Sequence, residues 1–272
     1  LRRNYYKGYE RMYNELDYRK KSVVGLIIIF ALLFLCAGTS YYQSRKTVPV
    51  EKPEEIVKEE KEEARVVDPT RPMVALTFDD GPSQYTTPIL LALEKYDSVG
   101  TFFMVGAQVR QYPETVQKIK EMGCDIGNHS MTHPKLTTIK PEAVEPEIVG
   151  TEQNVQAILG HGTSFFRPPY GAINNHIASL AKTPIIMWSV DPRDWENKNS
   201  VAISDHILNT VQDGDIVLLH DLYDTTVQAV IDVIPKLIDR GYQLVTVSEM
   251  AKARGISMEN GIKYGHFKHQ QQ

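Results

Sequence analysis

MVALTFDDGP, residues 73–82, is the stretch on which the reading of this chain turns. Six apolar or branched residues end on two aspartates and a Gly-Pro pair, as a buried strand ends in a tight turn. Working outward, the same kind of run recurs at TFFMV (101–105), CDIGN (124–128), SFFR (164–167), PIIMWSV (184–190), DIVLLH (215–220) and YQLVTV (242–247). The longer segments between them carry apolar residues at helical spacing, such as Val227, Val230, Ile231, Ile234 and Leu237. Gly81-Pro82, Gly123, Pro141, Gly171, Gly214 and Gly241 punctuate the joins. Strands alternating with helices predict an α/β fold with a parallel sheet. The expectation is a distorted (β/α) barrel of about seven parallel strands, with an open doubly wound sheet as the alternative. The chain has no GxGxxG or GxxxxGK[ST] pattern, which removes the main nucleotide-binding reasons to prefer the open sheet.

Each unusual polar cluster closes or follows one of these runs. They are Asp79-Asp80-Gly81-Pro82, His129-Ser130-Met131-Thr132-His133, Arg167-Pro168-Pro169-Tyr170-Gly171, Asp191-Pro192-Arg193-Asp194-Trp195 and Leu218-Leu219-His220-Asp221. Singly each has an ordinary reading: a turn, a surface charge, a core tryptophan, a buried histidine. In a parallel barrel, however, all these strand ends share one face, where such folds carry their chemistry. Adjacent strand residues point to opposite sides, so Asp79 and Asp80 suit two different tasks. His129 and His133, four apart before Pro134, lie on a loop that can turn two imidazoles onto one ion. Asp80, His129 and His133 offer three N/O ligands and no thiolate. That is the donor set of a catalytic metal site with an open position, zinc first and cobalt or another divalent ion next.

The five clusters in this order resemble the polysaccharide deacetylase family, also called the NodB-homology domain or carbohydrate esterase family 4. The resemblance covers roughly residues 72–250. It implies hydrolysis of acetyl groups on an acetylated glycan polymer, with one divalent ion, usually zinc. It implies Asp79 as general base and Asp80, His129 and His133 as metal ligands. Arg167 would pair with the base, Tyr170 would lend its backbone N–H to the oxyanion, and Asp194 would hold the general acid His220. Trp195 and Leu218 would line the pocket for the acetyl methyl. Elementary chemistry agrees with this division. An arginine favours an ionised carboxylate, a carboxylate favours a protonated histidine, and an amine leaves only once it is protonated.

The formal net charge of −4 hides a split. Residues 1–22 are basic, whereas residues 73–272 are net acidic, a poor basis for binding nucleic acid. Arg19-Lys20-Lys21 precede an uncharged run, VVGLIIIFALLFLCAG (23–38), that ends near Tyr41 and Tyr42. The expectation is a cytoplasmic segment 1–22, a transmembrane anchor 23–42 and an extracellular remainder. A cleaved signal peptide and a buried core helix are the alternatives. Glu-, Lys- and Pro-rich residues 43–71 read as a stalk, 72–255 as the catalytic domain and 256–272 as a C-terminal tail. Cys36 lies in the apolar run, so a disulfide with Cys124 is not expected. The anchor and acidic stalk resemble those of Gram-positive wall enzymes of this family, and that resemblance implies a single-pass cell-membrane protein working on peptidoglycan N-acetylglucosamine. Chitin-like or exported poly-N-acetylglucosamine, O-acetylated xylan, and a catalytically silent wall-binding module are the other readings.

Overall fold

The computed structural model describes residues 65–268. All seven runs are strands: β1 Met73–Asp79, β2 Thr101–Met104, β3 Asp125–Asn128, β4 Phe165–Phe166, β5 Ile185–Ile186, β6 Asp215–His220 and β7 Gln243–Leu244. An eighth, β8 Lys263–Tyr264, was not expected. The helices are α1 Thr86–Lys95, α2 Gly106–Val109, α3 Pro113–Glu121, α4 Pro141–Leu159, α5 Asn175–Leu180, α6 Ser200–Thr210, α7 Asp224–Asp239 and α8 Val247–Ala253.

The strands pair in the order β6-β1-β2-β3-β4-β5-β8, with β7 on β1, and every ladder is parallel. Between the two architectures left open by periodicity, closure decides. Val190, just beyond β5, bridges Val217 of β6, and Leu218 N–H donates to Val190 O at 2.9 Å. The ring therefore closes into a barrel, distorted because β4 and β5 are each two residues long.

Strand alternation sorts β1 into two faces. Val74, Leu76 and Phe78 pack outward with α1 and α7 residues such as Leu90, Val230 and Ile234. Met73 and Ala75 pack inward with Phe103, Ile186 and Ile216. Continuing that alternation puts Thr77 and Asp79 on the inner side. In β6 the same rule leaves Val217 and Leu219 outside and Ile216 inside, with Leu218 and His220 following it. Polar residues thus enter the barrel only where its apolar filling ends.

Residues on both flanks of the expected catalytic domain also pack on the barrel. Arg65 Nη2 donates to Leu244 O at 2.7 Å, and Asp68 N to Gln243 Oε1 at 2.9 Å. In the segment read as a tail, β8 pairs with β5 and Phe267 is buried. The expected anchor 23–42 and most of the expected stalk lie outside the described residues. Among the described residues no helix is long and apolar enough to cross a membrane.

Candidate active site

The parallel ladders bring the C-terminal strand ends to one mouth. Asp79 and His220 are direct register partners across β1 and β6, as are Thr77 and Leu218. Met104 of β2 is opposite Asn128 of β3, which precedes His129, and Asn128 is opposite Phe166 of β4, which precedes Arg167. A cleft of roughly 370 Å³ at this mouth is lined by Asp79, Asp80, His129, His133, Tyr170, Gly171, Trp188, Asp191, Trp195, Leu218 and His220.

Asp79 and Asp80 part as strand geometry requires. Asp79 lies inside the barrel, where Arg167 Nη1 donates to its Oδ1 at 2.7 Å. Arg167 is fully buried and every branch of its guanidinium is engaged. It donates to Thr77 Oγ1 at 2.8 Å, to Ile186 O at 2.9 Å and to Met187 O at 2.9 Å. Its plane also lies 3.9 Å from the Phe103 ring centroid. Burial lowers its pKa against the opposing pull of Asp79, yet a guanidinium starting this high stays charged. A buried cation so fully hydrogen-bonded is costly to break and holds its carboxylate partner in one place.

Asp80 leaves the strand at φ +74°, the left-handed region that L residues seldom occupy. Ser130 (+64°), His133 (+61°), Tyr170 (+60°) and Arg193 (+54°) share that conformation, each within or beside one of the five clusters. Backbone strain concentrated at one mouth is a mark of a functional site.

Among the described residues, Asp80, His129 and His133 form a group whose ligand atoms all lie within 4.8 Å of one another. His133 Nε2 is 3.1 Å and His129 Nε2 3.4 Å from Asp80 Oδ1. His129 Nδ1 donates to Arg167 O at 2.7 Å, which fixes the tautomer and leaves Nε2 as a lone-pair donor. Asp80 Oδ1 is buried and accepts no hydrogen bond. An orphaned carboxylate oxygen facing two imidazole nitrogens is what a divalent cation would satisfy, so the residues fit such an ion.

The charges agree. Burial would raise the Asp80 pKa, but the His129 contact and the charges of His129 and His133 outweigh it and hold the group at about 2. For His129 burial opposes the proton, yet the Asp79 and Asp80 carboxylates raise its pKa. His133 is lowered, first by burial. On the facing strand, His220 Nδ1 donates to Asp194 Oδ1 at 2.7 Å. The other Asp194 oxygen accepts from His220 N at 2.8 Å and Thr226 Oγ1 at 2.7 Å. Burial works against a charged His220 ring, but the Asp194 hydrogen bond and charge raise its pKa to about 9.

All ten site residues expected from sequence therefore meet here. Eight line the cleft, while Arg167 and Asp194 stand behind Asp79 and His220. Tyr170 and Trp195 are exposed at the rim, and Leu218 is buried at its wall. The sequence reading missed Trp188, which also lines the cleft and lies 5.7 Å from the Arg167 guanidinium. Alternation from inward-facing Ile186 was the available signal. Asp191 was noted only within its cluster, and its Oδ1 accepts from Arg193 N at 2.8 Å.

The sequence profile of the family described as polysaccharide deacetylase matches residues 66–184. The peptidoglycan-N-acetylmuramic acid deacetylase PdaC of Bacillus subtilis is 40% identical over 78% of this chain and 45% of its own length. Its solved structure superposes with a TM-score of 0.68, covering 70% of this chain and 94% of that one at 41% identity. The chain thus spans less than half of that relative's length. A peptidoglycan-N-acetylglucosamine deacetylase of Bacillus cereus is 36% identical over 66% of this chain and 88% of its own. A family 4 acetyl xylan esterase from Clostridium thermocellum, solved with a cobalt ion, has a TM-score of 0.68 at 29% identity, covering 71% of this chain and 98% of that one.

Proposed function

This chain belongs to the polysaccharide deacetylase family, and from that premise we propose that it hydrolyses N-acetyl groups on the N-acetylglucosamine residues of a cell-wall polysaccharide, peptidoglycan first. The observation that carries the reading is the register pair Asp79 and His220, which face the same cleft from neighbouring strands with a metal-binding trio beside them.

Amide hydrolysis needs a proton taken from water and a proton given to the leaving nitrogen. Asp79 is assigned the first task. Arg167 engages its Oδ1 and holds the carboxyl in place, which leaves Oδ2 for the water. His220 is assigned the second. Asp194 holds Nδ1, so Nε2 is the donor available to the nitrogen as the C–N bond breaks. Acetate and a free amine result. Asp80, His129 and His133 would hold one divalent ion, zinc first, which when bound polarises the carbonyl and acidifies water. The Tyr170 backbone N–H is assigned to the developing oxyanion, and Trp195 and Leu218 to the acetyl methyl.

The test is acetate release by the purified chain with zinc on N-acetylglucosamine oligomers, intact peptidoglycan, chitin oligomers and acetylated xylan. Release from the glucosamine substrates supports the proposal, and silence on every glycan sinks it. The Bacillus subtilis relative is named for N-acetylmuramic acid, so a second reading has that sugar as the target. Analysis of the amino sugars freed in peptidoglycan separates the two. The proposal extends to location: a single-pass anchor at 23–42 with the catalytic domain outside the cell membrane.

A further inference from the structure

Asp221 follows His220 at the end of β6, is 1% exposed, and has no task in the reaction as proposed. Its backbone N–H donates to Asp79 O at 3.2 Å. Its carbonyl accepts from Ser83 Oγ, and its Oδ2 accepts from Thr86 Oγ1 at the start of α1. Thr86 Oγ1 in turn accepts from Ser83 N at 2.8 Å, and Ser83 Oγ from Tyr85 N at 3.0 Å. The carboxyl also presses on Gly81. A Cβ built there would lie 2.2 Å from Oδ2 and 2.3 Å from Oδ1, so Asp221 occupies the space a side chain at 81 would need. Asp221 Oδ1 accepts no hydrogen bond.

These contacts run between the strand end that carries the assigned acid and the turn that carries the base and a metal ligand. Asp80 occupies a left-handed conformation that the surroundings must enforce. The geometry points to Asp221 as a positioning residue: its carboxyl wedges under Gly81 and, through Thr86 and Ser83, holds the Asp79-Asp80 turn against the His220 strand end. This rests on the proposed site assignments. It adds that the relation of base, metal-ligand carboxylate and acid is set by a side chain that touches no substrate.

The test uses the full chain with Asp221→Ala, Asp221→Asn and Thr86→Val, and cobalt as the metal probe. Removing a group that orients a metal ligand typically weakens binding by about 10- to 100-fold. Asp221→Ala is expected to weaken cobalt binding to the metal-free protein in that range and to alter the visible spectrum of the bound ion. On an N-acetylglucosamine oligomer its kcat should fall at least about tenfold with KM within about twofold, the pattern of lost transition-state alignment. Asp221→Asn keeps the shape and the acceptor for Thr86, and should bind cobalt within about threefold of the parent. If Asp221→Ala does not fold, Thr86→Val decides, since it removes the donor and leaves the carboxyl; it should weaken cobalt binding in the same direction. Parental cobalt affinity and spectrum in the variant that decides would overturn the inference, as would equal weakening by alanine and asparagine. The cobalt measurements stand without any glycan, so failure of the substrate reading is told apart from failure of this one.

Discussion

At the residue scale, the decisive fact is that two adjacent aspartates meet different surroundings. Asp79 faces inward to a buried guanidinium, whereas Asp80 turns through a left-handed φ towards two imidazoles. Asp80→Asn should therefore lose metal affinity. Asp79→Asn should keep the metal and lose a factor of about 10² to 10⁴ in turnover, the usual cost of a missing general base. Metal content and turnover of the two variants check this, and equal metal loss in both would refute the division of labour. His220 supplies a pH test. Its pKa is raised from 6.5 to about 9 by Asp194 against burial. A raised value means the His220–Asp194 pair contributes its full stability below about 6.5 and loses it as pH rises through about 9. In the metal-free protein, NMR should find this ring titrating near 9, and Asp194→Asn should bring it down towards 6.5. Loading a divalent ion beside Asp80 adds positive charge and should also lower it. The alkaline limb of the rate profile should follow the same shifts, because the assigned acid works only while protonated.

Element-scale order comes from alternation and from helix ends. Alternation fills the barrel with Met73, Ala75, Phe103, Ile186 and Ile216 and lets polar groups in only at the strand ends. Helix α8 is fixed by a full capping box: Thr246 accepts from Glu249 N, and Glu249 accepts from Thr246 N at 3.0 Å. Val247 N also donates to Thr101 Oγ1 of β2, which ties this helix start to the barrel. Thr246→Ala should cost roughly 1 kcal/mol, the typical worth of an N-cap. Urea unfolding of the parent and variant measures it, and turnover per folded molecule should hold because the residue lies outside the cleft lining. A midpoint equal to the parent's would show the cap to be dispensable.

For the whole molecule, the matter is where the catalytic domain works. Basic residues stand before the apolar run at 23–38, and a Glu-rich segment follows it. If the proposed anchor and orientation hold, an external protease acting on intact cells should cut between 43 and 64 and release an active domain. The cut should stop there because Arg65 and Asp68 are tied to Leu244 and Gln243. Western blotting of medium and membranes reads the result. Protection until the membrane is breached would reverse the orientation, and domain already free in the medium would remove the anchor. Exhaustive chelation of the released domain should abolish turnover, with recovery on adding zinc or cobalt.

The sequence by itself determined the alternation of seven strands with helices, the five polar clusters at their ends and the divergent directions of Asp79 and Asp80. Those features are local: a period of two, a period of about 3.6, and turn residues at the joins. Tertiary structure decided the rest, because the remaining interactions join residues far apart in the chain. Barrel closure depends on bridges from β6 to residues outside the named strands, Val217 to Val190 and Asp215 to His266. Strand β8 is two residues long and owes its conformation to β5, so no periodicity could announce it. Trp188 and Asp221 gained their places in the same way. Trp188 lines the cleft only because β5 turns its inner face towards Arg167, and Asp221 matters because β6 lies beside the turn that follows β1. A window of neighbouring residues records what each side chain prefers, whereas the partner that satisfies a buried charge or an orphaned carboxylate is chosen when distant strands pair.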